Sequence, residues 1–351
     1  MTPRVTVAIP TRNRGELLKE SLRSIFLQDI ELEVILIRLA GDAELPTVLE
    51  ASDPRISAIV ECEHSPIAGA GFNLISEYVN SNWLLHWSDD DLLVPGSLEL
   101  LVDLAEQYGA DSLGGRFINI GPSDRVEDVS PADRNRRTVV KALTWRDVIG
   151  PYASLPMPGW ALFRTEIALE VRWQEERGAR SPLDRYFALE AFARCAKAFS
   201  SDLTFLAYRS HPQQITKSLQ TEEILANYYE WQNWARTEFP MFRSAGMQRR
   251  LRAEESFLQA EINYRLGRPW TVGYNALKTG WNLPRASTKV DWWTMLGYSL
   301  YRGSISALSG IKAKATGSSR LSTRPTTQQV REILCETQED GDVRLSSEAD
   351  S

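Results

Sequence analysis

Short apolar runs alternate with amphipathic stretches through the first half of the chain. Val5–Ile9 is β-branched and apolar and reads as a buried strand closed by Pro10. From Glu16 to Leu27, the positions Leu17, Leu18, Leu22, Ile25 and Phe26 fall on one helical face. Further strands follow at Glu33–Leu39, Ile56–Val60 and Trp83–Trp87. Between them lie a short helix over Glu44–Glu50 and a helix over Gly71–Val79. Pro95 opens another helix whose apolar stripe is Leu98, Leu101, Leu104 and Ala105. Strands and helices alternating at this spacing predict βαβ units and a mainly parallel α/β sheet.

The pattern then changes. A strand over Asp111–Ile120 leads into a polar loop, Gly121–Arg137, whose composition predicts mobility. Strands are expected at Thr138–Leu143, Gly159–Phe163 and Leu203–Tyr208, with a helix over Leu183–Phe199. The segments Glu222–Trp234, Gln248–Leu266, Trp270–Thr279 and Trp292–Ile311 read as an aromatic-rich helical region. From Lys312 to Ser351 large apolar residues are scarce and disorder is expected.

Composition narrows the classes. Of 351 residues, 43% are hydrophobic and 25% charged, which supports a sizeable core. A formal net charge of -6 argues against a nucleic-acid partner, which requires a basic face. Cys62, Cys195 and Cys335 lie far apart without CxxC spacing, as expected in a reducing compartment and without a zinc site. The N-terminus lacks a signal-peptide pattern and no run of 18 apolar residues occurs, so a cytoplasmic protein is expected. Trp292, Trp293 and Tyr298, followed by Arg302, Lys312 and Lys314, make 292–314 a candidate for peripheral membrane contact, set against plain packing onto the rest of the protein.

The chemistry concentrates where Trp83–Trp87 runs into Ser88-Asp89-Asp90-Asp91. Three acids at the end of a buried strand repel one another and are costly to desolvate. That strand end is also where open α/β sheets bind ligands. A divalent cation, held by one or two carboxylates plus substrate phosphates, answers both problems. The plainer alternative is a solvated acidic turn ahead of the helix at Pro95.

Val5-Thr6-Val7-Ala8-Ile9-Pro10-Thr11-Arg12-Asn13-Arg14, the following helix through Gln28, and Ser88-Asp89-Asp90-Asp91 together resemble glycosyltransferase family 2 over roughly residues 4–216. The resemblance implies a GT-A type, Rossmann-like, mostly parallel sheet flanked by helices. The expected organisation is a glycosyltransferase domain over 1–216, a C-terminal helical appendage over 217–311 and a disordered tail over 312–351. It implies that Pro10, Thr11, Arg12, Asn13 and Arg14 line a nucleotide pocket. Asn73 matches a family asparagine, and Asp89 and Asp90 would meet the donor diphosphate. Asp90, Asp91 and His211 would hold Mn2+ or Mg2+, Gly159 and Trp160 would face the acceptor, and Asp184 would be the catalytic base. Arg38 stands where the family carries a base-binding acid, and is expected to pair with a carboxylate or phosphate. Ser88 and Leu183 also replace family acids.

These assignments imply an inverting transfer from a nucleotide-sugar donor to a glycan or lipid-linked acceptor, as in polysaccharide biosynthesis. If the acceptor is lipid-linked, the protein belongs at the inner face of a membrane. Other classes compatible with the residues are a metal-dependent phosphoesterase or nucleotidyltransferase, an inactive nucleotide-binding module and a scaffold. The usual phosphate loop of a sugar nucleotidyltransferase is missing at Thr11-Arg12-Asn13-Arg14.

Overall fold

A computed structural model describes residues 2–45, 53–149, 155–178, 182–211, 214, 221–265 and 268–282. These form two compact units, one comprising the described residues up to 240 and the other those from 241 on.

The first unit holds nine described strands: β1 (Val5–Thr11), β2 (Leu32–Leu39), β3 (Ile56–Cys62), β4 (Trp83–His86), β5 (Leu92–Leu93), β6 (Ser112–Ile120), β7 (Val140–Ala142), β8 (Ala161–Arg164) and β9 (Ala198–Arg209). They form one sheet in the order β3-β2-β1-β4-β8-β6-β9-β5, with β7 also paired to β9. The β3-β2-β1-β4 half is parallel, as the βαβ spacing predicts. Beyond it the sheet is mixed: β8 runs antiparallel to β4 and β6, while β6 and β9 are parallel.

Alternation along the strands divides two cores. Val5, Val7, Ile9, Val34 and Leu36 pack under α1 (Gly15–Phe26) and a helix α3 (Ser97–Gln107). Ala8, Ile35, Ile37 and Leu84 face the opposite core. It includes residues of α2 (Ala68–Phe72), α4 (Thr165–Glu170) and α5 (Leu183–Arg194). The chain leaves β1 toward β2 and returns on the other side as β4. A switch of this kind opens a crevice at the carboxyl ends of β1 and β4.

Several boundaries differ from the sequence expectation, among them the start of β9 at Ala198 and of α3 at Ser97, and three others have a local reason. Pro10 does not close β1, which runs on to Thr11. The Ala8 carbonyl accepts the Trp87 N–H at 2.8 Å, so even-numbered positions of β1 face β4. Pro10 lies beyond the end of β4, where no ladder bond requires its missing N–H. The helix expected over Gly71–Val79 is instead the short α2, ended where the Asn73 side chain clasps the Trp173 backbone. The helix expected to reach Phe199 stops at Arg194. There Asp111 accepts the backbone N–H groups of Ala196 and Lys197 at 2.7 and 2.8 Å and diverts the chain into β9.

The expected helices of the C-terminal half are present as α6 (Thr221–Glu238), which belongs to the first unit, and as α7 (Ala245–Arg265) and α8 (Pro269–Asn282) of the second. Leu251, Phe257, Val272 and Ala276 are buried within this second unit. The 292–314 segment, the 312–351 tail and most of the Glu44–Glu50 helix lie outside the described residues. Among the described residues, no helix is long and apolar enough to cross a membrane.

The polar loop after β6 is anchored. Val126 and Val129 are buried, the Gly121 N–H donates to Asp124 at 2.7 Å, and a 3-10 turn covers Val126–Asp128. Within β6, Gly115 lets β9 approach closely: a Cβ there would lie 2.5 Å from Phe205 Cδ1 and 2.8 Å from the Leu203 carbonyl. Because a backbone oxygen cannot yield as a side chain can, Gly115→Ala is expected to destabilise the first unit by about 1–3 kcal/mol. Urea unfolding checks this; an unchanged midpoint would show that β6 and β9 can separate at no cost.

Candidate functional site

The acidic loop between β4 and β5 rests on a polar stripe of α1. Ser21, Ser24 and Gln28 recur at helical spacing and turn toward the loop rather than to solvent. Ser21 Oγ accepts the Trp87 indole N–H at 2.9 Å and donates to the Ser88 carbonyl at 3.3 Å. Ser24 Oγ accepts the Leu93 N–H at 2.9 Å. Gln28 accepts the Leu98 N–H at 3.1 Å and donates to the Val94 carbonyl at 3.2 Å. The backbone on both sides of Asp89, Asp90 and Asp91 is therefore satisfied by α1 and by Gln28 in the turn that follows it.

All three acids are buried. Arg14, at the amino end of α1, bridges two of them: its Nη1 lies 2.9 Å from Asp89 Oδ1 and 3.0 Å from Asp90 Oδ2. His211 Nε2 approaches the same Asp90 oxygen at 3.0 Å, and Ser88 donates to Asp90 Oδ1. Arg209 is buried behind the loop. Its backbone N–H donates to Asp91 Oδ1 at 2.9 Å and its Nε to the Asp90 carbonyl at 2.9 Å. Its Nη1 binds the Pro122 and Asp124 carbonyls, tying the loop after β6 to the acids. Burial, followed by repulsion from Asp90, pushes Asp89 up to about 6 despite Arg14. The same two causes push Asp91 up to about 8.

A second set of contacts shapes the mouth of the crevice. Thr11 is buried and its side chain hydrogen-bonds Asp89. Asn13 takes a left-handed φ of 52°, held by three hydrogen bonds. Its N–H donates to Asp42 Oδ1 at 3.1 Å, its amide to the Gly41 carbonyl at 3.1 Å, and its Oδ1 accepts the Ala43 N–H at 2.8 Å. Glu44 accepts the Gly15 N–H, a free donor at the start of α1, at 2.6 Å. Arg38 donates to the Asp42 carbonyl at 2.8 Å and lies 3.6 Å from Glu61, the carboxylate pairing its charge requires. Pro10 is buried and Arg12 is exposed beside Gly41.

The other sequence-derived positions fall around this loop at different removes. Both ends of the Asn73 amide are engaged with Trp173, and its nitrogen also approaches Glu175 Oε1 at 3.3 Å. Gly159 has a φ of 81°, and a Cβ on it would stand 3.9 Å from the carbonyl of His86, the last residue of β4. Trp160, next to it, is exposed. His86 is enclosed by the rings of Phe72, Trp173 and Phe187, and its burial depresses its pKa to about 3, so it stays neutral. Asp184 occupies the first turn of α5, three residues before the Phe187 that touches His86. Its carboxylate has open surface, while the dense protein around it raises its pKa, an effect partly offset by Arg185.

Among the described residues, no three His, Cys, Asp or Glu side chains are pre-arranged around a metal position. The chemistry of the donors nonetheless suits a hard divalent cation. Three buried acids stand together with Arg14 on two of them, and burial with repulsion from Asp90 raises the pKa values of Asp89 and Asp91. A cation that completes its shell with substrate phosphates needs only one or two of these oxygens. Arg209 is the site residue that sequence reasoning passed over. A lone arginine closing an apolar strand two residues from His211 was the available signal.

The chain matches the model described as glycosyl transferase family 2 over residues 6–170. Among solved structures it is similar to S. aureus TarS 1-349, at 15% identity over 86% of this chain and 92% of that one, with a TM-score of 0.46. The same TarS fragment in complex with UDP-GlcNAc matches at 14% identity with a TM-score of 0.47, over 86% and 92%. Mannosyltransferase PcManGT from Pyrobaculum calidifontis, in complex with GDP-Man and Mn2+, matches at 17% over 86% and 85%, with a TM-score of 0.44. No curated protein matches the chain.

The raised carboxyls carry a stability consequence. Asp89 and Asp91 keep their protons in the folded chain at pH values where the unfolded chain has lost them. Their contribution is full below the ordinary value of 3.8 and is lost as pH rises through about 6 and then about 8. In divalent-free buffer, Tm is expected to fall by several degrees across that window, since one pKa unit corresponds to about 1.4 kcal/mol. Asp91→Asn, which keeps the oxygen that accepts the Arg209 N–H, should flatten the upper part of the fall. An unaltered slope in that variant would assign the titration elsewhere.

Proposed function

We propose, on the premise that residues 6–170 are a glycosyl transferase family 2 domain, that the chain moves a sugar from a nucleotide-diphosphate donor to an acceptor hydroxyl with inversion. The observation that carries this reading is the set of three buried acids at the β1/β4 crevice, gathered with Arg14 and His211. Such a site attracts a cation and, with it, the diphosphate of a nucleotide.

The residues then divide the work. Pro10 to Arg14, with Arg38, border the nucleoside, and Asp89 and Asp90 meet the diphosphate. Asp90, with Asp91 and His211, would hold Mn2+ or Mg2+, which supplies positive charge at the departing diphosphate. Arg14 adds a cation that needs no recruitment. Asp184 takes the proton of the acceptor hydroxyl. The acceptor oxygen bonds to the anomeric carbon as the bond to the diphosphate oxygen breaks on the opposite face, and that electron pair leaves with the diphosphate. One displacement inverts the configuration and needs no covalent enzyme intermediate. The raised Asp184 pKa makes its carboxylate a stronger base, with solvent exposure moderating the effect. Gly159 and Trp160 border the acceptor side, for a glycan or lipid-linked saccharide.

Titration of UDP, GDP, dTDP and CDP with and without Mn2+ tests the donor half. Asp90→Asn is expected to weaken cation-dependent nucleotide binding by about tenfold or more, and equal binding would move the cation elsewhere. Asp184→Asn should lower transfer by about a hundredfold or more with nucleotide affinity retained. Undiminished turnover would remove Asp184 from the role of base.

A further inference from the structure

Trp173, in the stretch between α4 and α5, is buried with its ring slotted between two others. It stacks on Phe72 of α2 with centroids 4.8 Å apart and planes inclined by 29°, and on Phe187 of α5 at 4.6 Å and 21°. His86 stands edge-on to all three rings. The cluster joins the end of α2, the strand that runs into the acidic loop, and the helix whose first turn carries Asp184.

Asn73 sets Trp173 in this place. Its amide meets the Trp173 main chain twice, donating to the carbonyl at 3.0 Å and accepting the N–H at 2.8 Å. The same nitrogen approaches Glu175 Oε1 at 3.3 Å, so both amide hydrogens have acceptors within the protein. The residues after Trp173 grip α5 as well: Gln174 donates to Glu190 at 2.7 Å, and Arg177 covers the Tyr186 ring at 4.3 Å. A Cβ on Gly69 of α2 would lie 3.2 Å from Trp173 Cβ and 3.3 Å from Leu183 Cδ1, so the residue before Asp184 packs against the same surface. A cluster built for stability alone would be apolar throughout. This one encloses His86 Nδ1 and Trp173 Nε1, which find no hydrogen-bond partner among the described residues, and such atoms cost free energy.

We infer that Asn73 and Trp173 are positioning residues for Asp184. Asn73 fixes Trp173, Trp173 fixes Phe187, and the first turn of α5 is thereby held where Asp184 meets the acceptor hydroxyl. The inference rests on the reading of Asp184 as the base, and it places Asn73 with the base rather than with the donor. The tolerance is narrow, because a misplacement of about 1 Å at a reacting centre costs about a hundredfold in rate.

Hydrogen exchange and nucleotide titration on the full chain test the strap. Asn73→Ala and Trp173→Ala are expected to speed amide exchange over 183–190 about tenfold, with β1, β4 and α1 still protected. Affinity for UDP, GDP, dTDP and CDP in the presence of Mn2+ should stay within about twofold. With a nucleotide sugar that the unaltered chain turns over, kcat should fall about tenfold or more at an unchanged donor KM. Trp173→Phe, which keeps a stacked ring, should rescue both exchange protection and kcat. In an Asp184→Asn background, Asn73→Ala should cost no further rate, because residues acting through one group are not additive. Unchanged exchange over 183–190, or protection lost throughout the first unit, overturns the inference. So does a loss of nucleotide affinity of about tenfold in Asn73→Ala, which would seat Asn73 on the donor. Full turnover by Asp184→Asn overturns the reading of Asp184 as base instead, and the exchange measurement then judges the strap alone.

Discussion

Three consecutive carboxylates withdrawn from water are the constraint around which the first unit is organised. Isolated charges of this kind would cost many kcal/mol, and the protein lowers that cost by several routes at once. Arg14 divides its guanidinium between Asp89 and Asp90, His211 shares the Asp90 oxygen, and Arg209 reaches Asp91 and the Asp90 carbonyl. These groups come from the end of β1, the end of β9 and the residues just beyond it. The constraint therefore fixes the mutual position of strands at the middle and far side of the sheet. Burial and mutual repulsion still raise Asp89 and Asp91, so the cost of desolvation is lowered but not removed.

The surroundings continue that logic. After β1, Asn13 and Asp42 lock two loops together through backbone donors, and the left-handed Asn13 gains three hydrogen bonds that offset its strain. Across the sheet, Gly115 permits a close approach that a side chain would block, and Gly159 takes a left-handed turn that a side chain would strain. Rigid elements thus hold the site from both directions, although several of its residues lie in loops.

Much of this was legible in the chain. The apolar runs of β1, β2 and β4 and the stripes of α1 and α3 follow directly from period and composition. The acids stand out as a contiguous signal. What escaped depended on partners remote in sequence. Nothing near Pro10 reveals that β4 has already ended beside it. Nothing near Arg194 reveals that Asp111 will capture the next two N–H groups. Nothing near Asn73 reveals that its amide is engaged with Trp173, one hundred residues away. Asp90 and His211 were joined beforehand only as ligands implied by the family resemblance, since no local periodicity connects residues so distant, and their 3.0 Å contact is a finding of the structure.

The stripe of Ser21, Ser24 and Gln28 grips the acidic loop almost wholly through its main chain, touching Ser88, Leu93, Val94 and Leu98 at atoms common to every amino acid except proline's nitrogen. The carboxylates of the same loop are held by a different set of groups, Arg14, His211 and the Arg209 N–H. Path and charge are thus secured by separate partners: a substitution in the stripe would loosen the backbone and leave the acids their cations, whereas loss of Arg14 would bare the acids on a loop that still runs the same course.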